Sequence, residues 1–391
     1  MLERIRLVRR PPVGRGALHT QHRLRVTTDG PVPRWSRFLL VLAAAAALTA
    51  AGLTVLALVD HQQITGADRW LKPWKFSVSI AVYVLTLAWM TRLVRRHRRT
   101  GMAMAGLGAV VMVVELGIII FQAGRGRMSH FNNETPLDSR LFALMGQLIT
   151  LVFIATAVLA VVLLRERVAG AGLRTGVHWG LGVSLVGMLS AVFMLEPLNR
   201  WAEARAGGPP SAATGSHTIG ALDGGPGLPL LGWSTGAGDL RVGHFVGLHA
   251  LQLLPLLGWL LDRSLRWTDR QRRQLVRTAG VGYLGVVVIL VWQALRAESL
   301  VHPGAMTLTA VAGLLAVVAV AVAVVVKVPG PAPVGEPTGG QQHRTEVAPG
   351  PVDAARVPVA RTPAESPPQV GVRPQVDAGS GAPASDPAVG S

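Results

Sequence analysis

Apolar residues along this chain gather into runs of about twenty, broken by short stretches rich in charge, glycine and proline. A run of 18 or more is long enough to cross the hydrocarbon core as a helix, at 1.5 Å per residue. Eight runs qualify: Phe38–Val59, Trp74–Val94, Gly101–Phe121, Arg140–Leu164, Gly176–Leu198, Gly243–Leu261, Leu275–Arg296 and Gly304–Val326. Backbone in hydrocarbon must satisfy its own hydrogen bonds, which predicts helices; the ten-residue alternation of a membrane barrel is absent. The first run is too long for a signal peptide and nearly forty residues precede it, so a retained helix is expected. The predicted fold is all-α, a polytopic membrane helical bundle with about eight transmembrane helices and disordered termini.

Composition agrees. Half of the 391 residues are apolar and only 15% are charged, against about a quarter in soluble domains. Three regions follow: a basic cytoplasmic arm at 1–36, an eight-span domain at 37–327, and a Pro/Gly-rich tail at 328–391. The tail has no aromatic residue and no period, so it is expected to be disordered and cytoplasmic. Its prolines suit a protein partner. The net charge is +17. Such an excess suits nucleic acid in a soluble protein, but here it sits in short loops, where it sets orientation; the expected partner is the lipid bilayer, with no nucleic acid. Alternate loops hold 23 Lys and Arg on one side and 10 on the other, which predicts a plasma-membrane protein with both termini inside. The arm is then placed on the anionic inner leaflet, each Arg gaining up to about 1 kcal/mol. Trp35, Trp70, Trp74, Trp179, Trp201 and Trp267 fall near predicted span ends, as an aromatic belt would. The absence of Cys excludes disulfides, thiolate metal sites, iron–sulfur clusters and Cys nucleophiles.

An ionisable side chain within a span costs roughly 2.5–3.5 kcal/mol on insertion scales, so each is a functional candidate. Placed by depth, such residues crowd the predicted outer half. Glu115 lies in the third run, Gln147 in the fourth, Glu196–Pro197 at the end of the fifth, and His249 and Gln252 in the sixth. His249 and Gln252 are three apart and share a helix face. Lys75, Ser77 and Ser79 open the second run, and Gln293 comes late in the seventh. The inner halves hold few comparable groups. This asymmetry predicts an outward-open polar site for a small or lipid-like ligand, lined by Glu115, Gln147, Glu196, Arg241, His249 and Gln252. The competing expectation is that these groups pair in separate helix contacts, each worth about 0.6 kcal/mol. Pro255 is expected to kink the sixth span, and Gly243 with Gly247 to permit close helix packing.

Two predicted outer stretches are dense in Gly, Arg, His and acids: QAGRGRMSHFNNET at 122–135 and GWSTGAGDLRVGHF at 232–245. Arg125, Arg127 and Arg241 offer planar forks for carboxylate or phosphate, while Glu134 and Asp239 stand ready to neutralise them. With LKPWKFSVS at 71–79, these stretches resemble segments of multi-pass membrane proteins from high-GC bacteria, a family with no assigned activity. The resemblance implies a bacterial membrane setting and brings no catalytic residue or cofactor.

Several chemistries compete for these residues. A bundle haem needs axial ligands from facing helices at one depth. His249 alone lies clearly within a span; His244 comes five residues earlier, His130, His217 and His302 fall in outer loops, and His178 is placed near the inner surface. His130, His244 and His249 are weak metal candidates: imidazole with Glu115 or Asp239 suits zinc, but the spacing matches no signature. No metal or cofactor is assigned. An enzyme acting on an outer-leaflet lipid or quinone would use Glu115 or His249 as acid or base, with Arg241 as an anion clamp. A transporter would add an inward-facing polar vestibule near Thr91, Ser184 and Thr278, with inverted repeats or broken helices. A scaffold would pair its polar groups locally and enclose no cavity. Whether the chain is an enzyme stays open; a binding site leads, with transporter and enzyme as alternatives.

Overall fold

The computed structural model describes residues 34–195, 198–206 and 214–327. Among them are eight helices long and apolar enough to cross a membrane: α1 (Arg34–Val59), α2 (Leu71–Met90), α3 (Arg98–Gly124), α4 (Pro136–Leu164), α5 (Ala171–Ser190), α7 (Leu240–Arg263), α8 (Asp269–Leu295) and α9 (Ala305–Lys327). A 3-10 turn (Ala191–Met194) extends α5, and a short helix, α6 (Leu198–Ala206), follows it. The chain is a polytopic helical bundle of the membrane. The predicted tail, all of the arm up to residue 33, and Glu196–Pro197 lie outside the described residues.

The helix starts carry local signals that hydropathy alone does not register. Thr135 accepts the Asp138 N–H ahead of Pro136, so α4 begins four residues before its apolar run. Asp239 caps α7 in the same way, and Thr268 with Gln271 forms a capping box for α8. The fifth span starts at Ala171, after Gly170 at φ 91°. Trp179 therefore sits eight residues into α5, where its ring covers Gly280 of α8.

The tightest helix contact joins α5 to α7, which run antiparallel. Gly172 faces Gly258, Gly176 faces Leu254, Gly180 faces Ala250 and Pro255, and Gly187 faces Gly247. A β-carbon at any of these α5 glycines would strike α7 backbone, so the backbones approach as only a small-residue stripe allows. Gly243 faces the other way, onto Val291 of α8. Helix α7 runs through Pro255 as one helix from Leu240 to Arg263, with the proline ring seated over Gly180.

Helices α1 to α4 pack as a second group, with α5 touching α4. Helix α9 lies on α8, with most of its apolar surface exposed, as a lipid-facing helix should be. At one end of the bundle the connections are short and use carboxylates as helix caps. The Glu166 carboxylate accepts the N–H groups of Arg96 and His97 at 2.9 and 3.1 Å, at the start of α3. The Asp262 carboxylate accepts those of Gly172 and Leu173, both at 2.8 Å, at the start of α5.

Candidate functional site

The opposite end is built differently. Connections α1–α2, α3–α4, α5–α7 and α8–α9 fold against one another into a single cap. Two small antiparallel hairpins form within it, β1 (Gln63–Ile64) with β2 (Ala67–Asp68) and β3 (Thr218–Ile219) with β4 (Gly238–Asp239). Gly66 of the first hairpin touches the Gly224 backbone. Phe131 of the α3–α4 connection places its ring 5.0 Å from His217 and 5.5 Å from Phe142. It does so at φ 57°, uncommon for a bulky residue. The Ser299 hydroxyl donates to the Thr235 carbonyl at 2.7 Å and Gln293 donates to the Ser299 carbonyl at 2.7 Å, which ties in the last connection.

Most charges in the cap are spent within it. The buried Asp138 carboxylate accepts from Thr135, Arg125 and Gln122 at 2.6, 2.7 and 2.9 Å. Arg127 pairs with Glu134, and Arg69 with Asp60. Arg241 holds the buried Asp239 through Nε and a terminal nitrogen at 2.9 and 2.5 Å, and donates to the Gly232 carbonyl at 2.6 Å. Asp223 accepts from the His217 ring at 2.6 Å, the Thr218 hydroxyl at 2.8 Å, the Ser216 hydroxyl at 3.1 Å and two backbone N–H groups. Burial pushes the Asp223 carboxyl up, but the His217 and Thr218 hydrogen bonds outweigh it and hold it well below the usual range. Burial, only partly offset by Asp223, keeps the His217 ring below its ordinary value. Burial, then the charge of Lys72, holds His130 well below its own. At neutral pH Asp223 is therefore ionised and both rings are neutral.

Two half-buried lysines of the cap have no carboxylate partner among the described residues. Lys75 Nζ donates to the Leu231 carbonyl at 2.8 Å. Lys72, three residues earlier on the same face of α2, makes no hydrogen bond or ion pair among the described residues. Both are half-buried and lie within electrostatic range of Arg241. Sequence reasoning counted Lys72 only as a loop charge. Its spacing from Lys75 is the signal that would have singled it out.

From the lysines a polar seam descends between α2 and α7. Arg241, Phe245, His249 and Gln252 are spaced four, four and three apart and share one face of α7. On the facing side, Lys75, Ser79 and Thr86 share a face of α2. These residues are all half-buried. Trp233 stacks edge-on to Phe245 at 5.6 Å, and Phe245 to His249 at 4.3 Å. Gln252 closes the seam, donating to the Thr86 hydroxyl at 3.1 Å. Helices α2 and α7 are joined here by side chains; each packs its backbone against other partners, α2 on α1 and α3, α7 on α5 and α8.

The structure thus brings Arg241, His249 and Gln252 together and places two other sequence candidates elsewhere. Gln147 is exposed on the outer surface of α4. Glu115 is 3% exposed within α3, with Oε1 lacking a partner among the described residues, and α3 packs on α1, α2 and α4. Glu196 lies outside the described residues. Of the metal candidates, His130 is ringed by Phe76, Phe131 and Phe142, and His244 Nδ1 faces the Gly187 carbonyl at 2.7 Å. Among the described residues no three His, Asp or Glu side chains converge on one point. Of the vestibule candidates, Thr91 at the plain end and Ser184, past the middle of α5 toward the cap, bond to carbonyls of their own helices. An open groove of about 340 Å³ on α5 and α8 is lined by His178, Trp179, Gly182, Val183, Val186 and Leu284; His178 lies seven residues into α5, deeper than its sequence placement.

The fold and the cap together define a multi-pass helical membrane protein with one elaborated end. No known family, curated protein or solved structure matches the chain.

Proposed function

We propose that this chain is a plasma-membrane protein, both termini cytoplasmic, whose capped end faces outward and binds a small or lipid-like ligand. The α2–α7 seam carries the reading: a file of half-buried polar and aromatic side chains, headed by cations, between two helices whose backbones pack mainly on other partners. Orientation is supported by the loop charges, since the connections at the plain end hold the Lys and Arg excess. The basic arm and the Pro/Gly-rich tail are then cytoplasmic, the arm against anionic lipid and the tail open to a protein partner. Transport draws less support, because of the three vestibule candidates Thr91 bonds within its own helix and Ser184 lies toward the cap, which leaves Thr278 alone at the plain end.

The chain contains no Cys, so single cysteines report topology cleanly. In intact cells a membrane-impermeant maleimide labels Leu222→Cys, in the cap, and reaches Leu265→Cys only after permeabilisation. Both parent side chains are exposed, at 60% and 84%. The reverse pattern refutes the orientation. Native mass spectrometry of the purified chain tests binding: one amphiphile per chain is expected, lost in Phe245→Ala. A wild-type chain that carries none refutes the binding site.

A further inference from the structure

Resting on the outward-facing binding reading, we infer that the ligand presents an anion, a phosphate or carboxylate head, to Lys72 and Lys75, and that a membrane lipid carries this anion. The charge census at the head of the seam leads there. Five fixed charges meet: Lys72, Lys75, Arg241, Asp223 and Asp239. Asp239 is committed to Arg241 and to the Ser234 N–H at 2.8 Å. Asp223 is within electrostatic range of Lys72 but spends its oxygens on Ser216, His217 and Thr218. The two carboxylates are satisfied, neither lysine has a carboxylate partner among the described residues, and the neighbouring His130 and His217 rings bring no negative charge. Like charges gathered in a half-buried site repel strongly, and an anion between them removes that repulsion.

Position names the carrier. Lys72 and Lys75 stand in the first turns of a membrane-spanning helix, where lipid head groups lie. Along the same two helices the exposed side chains are apolar: Val78, Val82 and Leu85 on α2, Leu253 and Leu256 on α7. A chain attached to the head group has apolar surface to follow, which a free anion does not need.

The test uses the full-length chain purified in neutral detergent, with binding read by native mass spectrometry. Three probes are compared: phosphatidic acid, diacylglycerol with the same chains, and inorganic phosphate. Phosphatidic acid is expected to bind at least about tenfold tighter than diacylglycerol, less so at high salt. Lys72→Gln and Lys75→Gln should each weaken it by about tenfold, the loss of one charge-assisted hydrogen bond. Both remove the charge and keep a polar side chain, and Arg241 is left intact because it holds Asp239. Inorganic phosphate binding as tightly as phosphatidic acid, and lost in the same variants, upholds the anion site but overturns the lipid carrier. Equal binding of phosphatidic acid and diacylglycerol, unmoved by either lysine variant, overturns the inference; if Phe245→Ala abolishes that binding, the outward site stands without it. If no probe binds and Phe245→Ala changes nothing, both fall.

Discussion

Replacing Gly247 by alanine should destabilise the bundle, although alanine is the better helix former. A methyl carbon on Gly247 would stand 2.5 Å from the Gly187 Cα, and one on Gly187 would stand 2.7 Å from the Gly247 Cα. Non-bonded carbons rest at about 3.5–4.0 Å, so α5 and α7 would have to part by about 1 Å. Overpacking costs about 1–3 kcal/mol. The obstacle here is backbone, which cannot turn aside as a side chain does, so the upper part of that range applies. Alanine recovers about 1 kcal/mol of helix propensity, leaving a net loss of about 2 kcal/mol. Gly182, on the same helix α5, supplies the control: nothing lies within 4 Å of a β-carbon there, and Gly182→Ala should gain up to about 1 kcal/mol. Reversible unfolding of both variants in mixed micelles measures the difference, expected near 3 kcal/mol with opposite signs. Gly247→Ala as stable as wild type, or Gly182→Ala equally damaging, would refute the close-packed seam.

Two further outcomes follow from buried and misplaced polar groups. Glu166→Gln removes the charge that caps α3 and should cost about 1 kcal/mol. Burial raises the Glu166 carboxyl, but the N–H groups of His97, Arg95 and Arg96 outweigh it, so its folded value lies below the ordinary 4.5. Its contribution is therefore complete above pH 4.5 and fades as pH falls through the lower folded value; acid unfolding curves of wild type and Glu166→Gln should converge there, and a constant offset at all pH sinks the capping role. Gln147→Leu should leave ligand binding unchanged and stability equal or higher, because the amide faces outward from α4. A loss of bound amphiphile in that variant would return Gln147 to the site.

The eight spans were legible because an apolar run in hydrocarbon needs no particular partner; length and composition suffice. The start of α2 at Leu71 was not, since the apolar run begins at Trp74 and Lys72 before it is too polar for hydropathy to place in a span. Helix α6 and the two hairpins escaped for a related reason. The hairpins have two residues per strand, and such segments take their shape from what they fold against. Gly243 and Gly247 announced close packing, but spacing names a face and not a neighbour. Nothing in the chain said that one would meet Val291 and the other Gly187.

The candidate site shows the same division more sharply. Hydropathy gives the depth of a residue along the membrane normal and leaves rotation about the helix axis open. Glu115, Gln147 and His249 were grouped because they share a depth. Rotation then separates them: Gln147 turns outward on α4, and Glu115 turns into the packing of α3. Within one helix, rotation is fixed by spacing, which is why Arg241, His249 and Gln252 stayed together on α7 and Phe245 joined them. Lys72 and Lys75 on α2 obey the same rule. Reliable site prediction in such a bundle therefore starts from polar residues that share one helix face. Depth alone then proposes which second helix, here α2, completes the seam.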